Sequence, residues 1–527
     1  MKTAKIYILI ITALFLGFTG CTDLEIEQTD SRFQNLTGEF NGVDPVSSLE
    51  NLYNSVRSQV QTQENLYGIT EVSSDEFVVP TRGTDWGDNG VWRTLHSHTW
   101  STTHNLIKNT WNELNSNVYN ATAIIDQRSS PSPQQTAEAK FIRAYSMLWI
   151  IDLFGQVPFR NTDDTPETAP SVMTRAEAVE FTIKDLNEAI PDLPSTGPGQ
   201  GTLKASKASA RYLLAKLLLN KHIYTGAATA DPGDMSQVIT LVEAIEGDGF
   251  ALQAGYFELF TDQVDTETIF YTTSDVGSRI WDGLHYNQGA PDNTGGGWNG
   301  FTTLAEFYDL FEGDPMVNTP GSGQEERRGF VPLSGSPAVE ADGSDDIDGD
   351  GIKDGSNIGF GFLIGQQYGA NGELLKDRTG NNLSYTKELP GLLGNNETTG
   401  IRLLKYSPAN GSFATHMVLF RYADAHLMKA EAIMRGGSSS EDPLALVNEL
   451  RVLREATPLG ALTEQDMLNE RGRELYGEYW RRSDLIRFGK FTEPWAHKES
   501  TEAFRVLFPI PATAIITNPN LTQNEGY

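Results

Sequence analysis

From about residue 43 onward, apolar positions recur at three- and four-residue steps in a series of segments, which predicts helices. Residues 103–127 read as one helix, ended by the Ser-Ser-Pro-Ser-Pro turn at 129–133. Over 134–154, Ala137, Phe141, Ala144, Leu148 and Ile151 line one face, while Ile142 and Trp149 make the other face apolar too. A helix apolar all round is a buried one. Thr174 and Glu177 have capping-box spacing ahead of the next helix, which Pro191 stops. Ala208, Tyr212, Ala215 and Leu219 share a face over 205–224. Asp442 before Pro443 opens a further helix, and Thr463 with Asp466 repeats the box. Short paired amphipathic helices with small residues at their contacts predict a mainly α fold of tetratricopeptide-like hairpins, although no strict 34-residue period is present.

The helical pattern lapses between about 250 and 412, where Gly, Asn, Asp and Ser dominate and "NTGGGWNG" occurs. Loops of this length in a compact domain are functional or disordered, and the interspersed aromatics argue against disorder. The expectation is a loop-rich variable region held by a helical scaffold over 43–249 and 413–527. Residues 21–42 are polar and weakly periodic, as in a tether. Ahead of them, Lys2 and Lys5 precede an apolar run from Ile6 to Phe18, the length of a signal-peptide core and too short to span a bilayer. Thr19 and Gly20 lead into Cys21, the sole cysteine. Residues 1–20 resemble a bacterial lipoprotein signal, with Cys21 as the lipidated N-terminus of the mature chain.

Composition narrows the function. Seventy acidic against 40 basic side chains give a formal charge of −30, which opposes nucleic acid. With no second thiol, an intramolecular disulfide is excluded. No other apolar run reaches spanning length, so membrane attachment rests on lipid.

Four segments carry a resemblance: "AEAKFIRAYSMLWIIDLFGQVPF" (137–159), "RYADAHLMKAEAIMR" (421–435), "LNERGRELYGEYWRRSDLIRFGKF" (468–491) and "LFPIPATAIITNPNLTQNEGY" (507–527). In order and spacing they resemble the SusD/RagB family of outer-membrane glycan-binding lipoproteins. The resemblance implies a SusD-like helical fold, with a loop-rich insertion carrying the ligand contacts. It implies attachment to the outer membrane through lipid, exposure at the cell surface and partnership with a SusC-like TonB-dependent transporter. Oligosaccharide or polysaccharide would be captured without cleavage. Asp23 and Glu25 resemble surface-export signals of such lipoproteins. The matching segments themselves read as structural. Glu470, Arg473, Glu474 and Arg481 suit ion pairing at helical spacing, and Gly155 and Pro158 suit a helix stop.

A neutral sugar is bound by aromatic faces laid on its C–H patches and by planar polar groups that grip hydroxyls. Two clusters have that composition. In "RGTDWGDNGVWRTLHSHTW", Asp85, Trp86, Asp88 and Asn89 stand among glycines, with Trp92 and Trp100 divided between site and core. In "IWDGLHYNQGAPDNTGGGWNG", Trp281, Asp282, Tyr286, Asn287 and Trp298 stand together, and the glycines before Trp298 argue against a core role for it. In the family resembled, a Gly-Trp pair before a "LAEFYDLF"-like helix lies near the ligand surface. Arg378 and Tyr406 complete the candidate glycan contacts. The shortage of Lys and Arg in both clusters favours a neutral glycan, such as a β-glucan (laminarin) or a fructan (levan).

One further motif, "DDIDGDGIKDG", places Asp346, Asp348, Asp350 and Asp354 around Gly351, with Asn357 where an EF-hand has its closing Glu. Alternate carboxylates in a tight loop converge on a hard cation, so these residues and the Ile352 carbonyl are expected to hold a structural Ca2+. No organic cofactor is expected. His96, His98 and His104 have zinc-like spacing without supporting ligands and read as ordinary hydrogen-bonded histidines. No nucleophile elbow, phosphate loop or dinucleotide fingerprint appears, so no catalytic residue is assigned. A surface glycoside hydrolase and a protein-binding adhesin solenoid stand as alternatives.

Overall fold

The computed structural model describes residues 39–165, 167–261, 264–273, 282–288, 296–332, 358–369, 372–406 and 416–527. Cys21, Trp281, and the Asp346, Asp348, Asp350, Ile352 and Asp354 motif lie outside the described residues. The chain divides into Met1–Asn41 and Gly42–Tyr527, and every described helix and strand belongs to the second unit.

The chain opens with α1 (Pro45–Gln61), α2 (Asn65–Glu71) and α3 (Val91–His96), then α4 (Asn105–Ile125) and α5 (Pro133–Phe154). Ser132 and Gln135 form a capping box at the head of α5, and Gly155 closes it at φ 75°. A Cβ on Gly155 would lie 2.8 Å from the Leu507 side chain, so glycine meets both the left-handed turn and the close packing there. α5 is buried from Ala137 to Phe154 apart from Lys140, as its two apolar faces require. Pro158 does not break the chain at this point. It lies in the strand Gln156–Phe159, which pairs antiparallel with Ser171–Thr174.

α6 (Arg175–Ala189) begins at the Thr174–Glu177 capping box, α7 (Lys207–Thr225) at a Ser206–Ser209 box, and α8 (Pro232–Gly247) at Asp231. Consecutive helices pack as neighbours: α4 on α5, α5 on α6, α6 on α7 and α7 on α8. This succession is the hairpin scaffold that the 3.6-residue periodicity predicts. After Tyr422 helices resume as α10 (Tyr422–Met434), α11 (Pro443–Leu453), α12 (Glu464–Leu475) and α13 (Arg481–Arg487), following the single turn α9 (Ala305–Tyr308). α10 packs on both α8 and α11, joining the two helical stretches.

Between Gly247 and Tyr422 the described residues hold short strands and single helical turns. Strands Phe360–Leu363, Arg402–Leu404 and Gly329–Phe330 form a three-stranded sheet. Phe77–Val78 pairs with Thr302–Thr303, and Thr268–Thr272 pairs with Met417–Arg421. No helix among the described residues is long and apolar enough to cross a membrane.

The acidic and basic residues of the matching segments are paired, but mostly across the chain and not along one helix. Glu470 accepts from Arg327, Arg451 and Arg473. Glu474 accepts from Arg421 and Arg454 at 2.7 and 3.0 Å, and Arg481 pairs with Asp75 at 2.7 Å. Within this group only Glu470 and Arg473 pair at helical spacing. A second buried cluster joins Lys216 and Arg471 to Asp424, and Arg487 to Glu431 and Asp484. Charges this deep are tolerated only when mutually paired and hydrogen-bonded, so these segments tie the scaffold together.

Candidate functional site

The site is assembled from three loops. In the first, Arg82 and Asp85 exchange main-chain hydrogen bonds of 3.0 and 2.9 Å, closing a turn. Immediately beyond it, Trp86, Asp88 and Asn89 have φ of 56°, 36° and 51°. Left-handed backbone at a tryptophan is costly and is kept where the surroundings enforce it, typically at functional sites.

The second loop joins residues 282–288 to 296–301. Main-chain N–H groups of Gly297, Asn299 and Phe301 donate to the carbonyls of His285, Leu284 and Asp282 at 2.8–3.0 Å. The two segments run so close that a Cβ on Gly297 would lie 1.9 Å from the Leu284 carbonyl oxygen, and one on Gly300 2.2 Å from the Trp86 ring. The glycines around Trp298 thus serve close approach, and Trp298 is pushed outward, 41% exposed.

The third loop runs from 376 to 397. Asp377 Oδ1 accepts the main-chain N–H groups of Thr379 and Asn381, each at 2.9 Å, in a turn that presents Arg378. Thr81 N–H donates to the Leu392 carbonyl and Gly83 N–H to that of Asn395, at 3.0 and 3.1 Å, fixing this loop against the first.

Side chains predicted from separate stretches meet here. Tyr286 Oη donates to Asp85 Oδ2 at 2.7 Å, and Arg378 Nη2 donates to the same oxygen at 2.8 Å. The Arg378 guanidinium carbon lies 3.8 Å from the centre of the Tyr286 ring. The Trp86 indole packs against Trp92 and Phe301, with ring centres 5.9 and 6.0 Å away. Asn287, exposed, donates to the Lys376 carbonyl at 2.7 Å. Asp85, Trp86, Tyr286, Trp298 and Arg378 therefore form one partly exposed surface of aromatic rings flanked by a carboxylate and a guanidinium.

Trp92, Tyr406, Asp88, Asn89 and Trp100 stand outside this surface. Trp92 is 3% exposed; it backs Trp86, and its indole N–H donates to Asp88 Oδ2 at 2.9 Å. Tyr406 is a core residue because its ring packs on Phe260, centres 5.3 Å apart, and its oxygen accepts the buried Val418 N–H. Asp88 and Asn89 are exposed and line a cleft of about 670 Å³ with Trp92, Thr94, His104 and Asn105. Trp100 lies in the core against Phe508, its N–H donated to Tyr527. The three histidines are separately engaged: His96 with the Ala496 carbonyl, His98 with that of Ser73 and His104 with that of Val91. Among the described residues, no three His, Cys, Asp or Glu side chains converge as a metal site.

Sequence reading missed the support beneath the surface. Glu397 Oε1 accepts from Arg378 Nε, and its Oε2 accepts the Arg378 main-chain N–H at 2.9 Å. His285 Nε2 lies 2.9 Å from the same Oε2, while His285 Nδ1 accepts the Asn287 N–H at 3.1 Å. An acceptor Nδ1 places the ring proton on Nε2, directed at Glu397. Burial lowers the His285 pKa despite Glu397 beside it, so the imidazole is neutral at neutral pH. Burial also opposes ionisation of Glu397, but the Arg378 main chain, His285 and the guanidinium outweigh it and hold the carboxyl below its usual value. Asp85 is lowered too, by Tyr286 and then Arg378.

Below these lie two buried arginines. Arg82 donates to the Asn396 and Thr399 carbonyls. Arg402 donates to those of Glu397, Thr399 and Gly400 and to Asn299 Oδ1, and burial pushes it down to about 10. No local pattern marks these residues: His285 and Glu397 pair across 112 positions and Arg82 reaches Thr399 across 317, while Arg402 joins Asn299, 103 positions away, to carbonyls just before it in the chain.

The comparisons agree with this architecture. The sequence model of the SusD family matches residues 266–527, and the chain belongs to the SusD family. The starch-binding protein SusD of Bacteroides thetaiotaomicron is 28% identical over 490 residues, covering 84% of this chain and 82% of that protein. A laminarin-binding SusD-like protein superposes with a TM-score of 0.65 at 20% identity, covering 92% of this chain and all of the other. Surface glycan-binding protein A from Bacteroides uniformis gives 0.67 at 17% identity, over 91% and 98% of the two chains. At these identities the structures establish the shared SusD-like, mainly α fold.

Proposed function

We propose that this protein is a cell-surface glycan receptor that captures a neutral oligosaccharide or polysaccharide without cleaving it. The observation that carries this reading is the meeting of Trp298, Trp86 and Tyr286 with Asp85 and Arg378 on one surface. Exposed rings supply stacking area, and the fixed acceptor and donor beside them select hydroxyl orientation. The names of the relatives, which bind starch, laminarin or surface glycans, support the same class. A β-glucan such as laminarin or a fructan such as levan is the best-matched ligand.

Cleavage would require one of a carboxyl pair to stay protonated as general acid. Asp85 and Glu397 are both held on the ionised side, with Arg378 between them. That arrangement suits binding and not hydrolysis. Family membership and the signal-like N-terminus support lipidation at Cys21, residence at the outer membrane and delivery to a SusC-like TonB-dependent transporter. The Asp346–Asp354 motif is read, on its spacing alone, as a structural Ca2+ loop; EGTA should lower the melting temperature and Ca2+ restore it.

The deciding test is native affinity electrophoresis against laminarin, levan, mannan, starch, xylan and alginate, with product assays in parallel. Retardation by a neutral glycan without cleavage, lost in Trp298→Ala, is the expected result. Released product would overturn the receptor reading.

A further inference from the structure

An arginine at a polar surface ordinarily recognises anions through the edge formed by Nε and one Nη, which fits a carboxylate or sulfate bidentately. In this site that edge is filled from within. Nε donates to Glu397 and Nη2 to Asp85, while the Tyr286 ring lies against the guanidinium plane. What remains of this half-exposed side chain are the N–H groups of Nη1 and one of Nη2, donors for hydroxyl or ring oxygens, beside two carboxylates that outweigh the single guanidinium charge.

Glu397 is held in this position from several sides. His285 and the Arg378 main chain fix its carboxylate. Its own carbonyl accepts from Asn299 Nδ2 at 3.0 Å and from Arg402 Nη2 at 2.9 Å. Arg82 and Arg402 are buried, donating to carbonyls in the interior, and place no second fork at the surface. An approaching uronate or sulfate therefore meets two carboxylates and a guanidinium whose Nε–Nη2 edge is already taken.

We propose that Glu397 sets the charge specificity of the site: by occupying Arg378 Nε it admits uncharged sugars and excludes uronate- or sulfate-bearing ones. Glu397 is a positioning residue, acting on ligand through Arg378. The inference rests on the reading of this surface as the glycan site. It assigns to one residue a selectivity that overall charge only favours.

The test compares full-length protein in neutral detergent with Glu397→Gln, using laminarin and polygalacturonate as probes in affinity gels. A Gln has one acceptor oxygen where the carboxylate has two, so its NH2 would face either Arg378 Nε or the donors now held by Oε2, and the negative charge beside the guanidinium is lost. The expected result is about a tenfold or greater gain in affinity for polygalacturonate over the parent. The gain should fade at high salt, as screened charge attraction does, and disappear in Glu397→Gln combined with Trp298→Ala.

A purely supporting role would weaken laminarin binding and confer no anion binding. Asp85→Asn opens the Nη2 side independently and should change selectivity in the same direction, which keeps the test decisive if Glu397→Gln folds poorly. Folded variants without the gain, or a gain that survives Trp298→Ala, would overturn the proposal. Failure of the receptor reading looks different: the parent protein is retarded by no neutral glycan.

Discussion

The indole N–H of Trp86 donates to the main-chain carbonyl of Trp298 at 2.7 Å, across 212 positions of sequence. One tryptophan is thereby anchored edge-on to the backbone that projects the other. Trp86→Phe keeps an apolar ring and removes this bond, a loss of about 1 kcal/mol for an ordinary hydrogen bond. The expected outcome is a severalfold weaker glycan affinity in calorimetry, with little change in melting temperature.

Gly300 is a stricter constraint on the same pair. A Cβ there would lie 2.2 Å from the Trp86 ring, a distance that real packing does not allow. Gly300→Ala should displace Trp86 and reproduce the binding loss of Trp86→Ala while the helical scaffold stays folded. Unchanged glycan affinity in Gly300→Ala would mean that Trp86 does not need its present position to serve the site.

Trp298 and Trp92 should part company in stability measurements. Trp298 is 41% exposed and Trp92 3%. Truncating an exposed ring usually changes stability by no more than about 0.5 kcal/mol, whereas removing a buried tryptophan costs about 3–5 kcal/mol. Trp298→Ala should therefore lose glycan and keep its unfolding midpoint in urea, and Trp92→Ala should show a large drop in midpoint.

How far the sequence could be read depended on how local the cause was. The Thr174–Glu177 and Thr463–Asp466 boxes form as their spacing implies, because capping is decided within four residues. Trp86 and Trp298 announce themselves by glycine neighbours that would not support a core tryptophan. Glu397, His285, Asn299 and Arg402 carry no such mark; their roles come from bonds spanning up to 112 positions. Tyr406 misled for the converse reason, since a loop-rich stretch does not say which of its aromatics turns inward. The acidic and basic residues of α12 were legible as an ion-paired group, but their partners Arg327, Arg421 and Arg454 lie outside that helix.

That group makes its own prediction. Glu474 is fully buried and accepts from both Arg421 and Arg454. Removing one partner of such a network leaves charge uncompensated in the interior and costs about 3–5 kcal/mol. Glu474→Gln should lower the urea midpoint steeply, and whatever protein remains folded should bind glycan with unaltered selectivity. A selective change in glycan preference without loss of stability would place Glu474 in the binding machinery instead.

The response to acid should carry a buried-histidine contribution that can be isolated by substitution. His96 is wholly buried, and burial pushes its pKa down to about 4; His98, stacked 4.3 Å from Phe491, moves in the same direction. In the unfolded chain these rings titrate near 6.5, so between 6.5 and 4 the unfolded state binds protons that the folded state refuses. The stabilisation contributed by these neutral rings is then fully present above about pH 7 and falls as pH drops through that window, by roughly 3 kcal/mol for His96 at its lower end. Glu326, pushed up to about 7 by burial, takes up its proton in the folded state first and so works the opposite way over the same interval, while carboxylates with lowered values, such as Glu470 at about 2, keep their stabilisation until pH falls below the unfolded carboxylate range near 4.3. The clean readout is therefore the difference between two proteins: over urea unfolding at pH 7.5, 6 and 5, the dependence of stability on pH should be smaller by about one proton in His96→Gln than in the parent. An identical pH dependence in the two would mean that His96 takes up its proton in the folded protein as readily as in the unfolded chain.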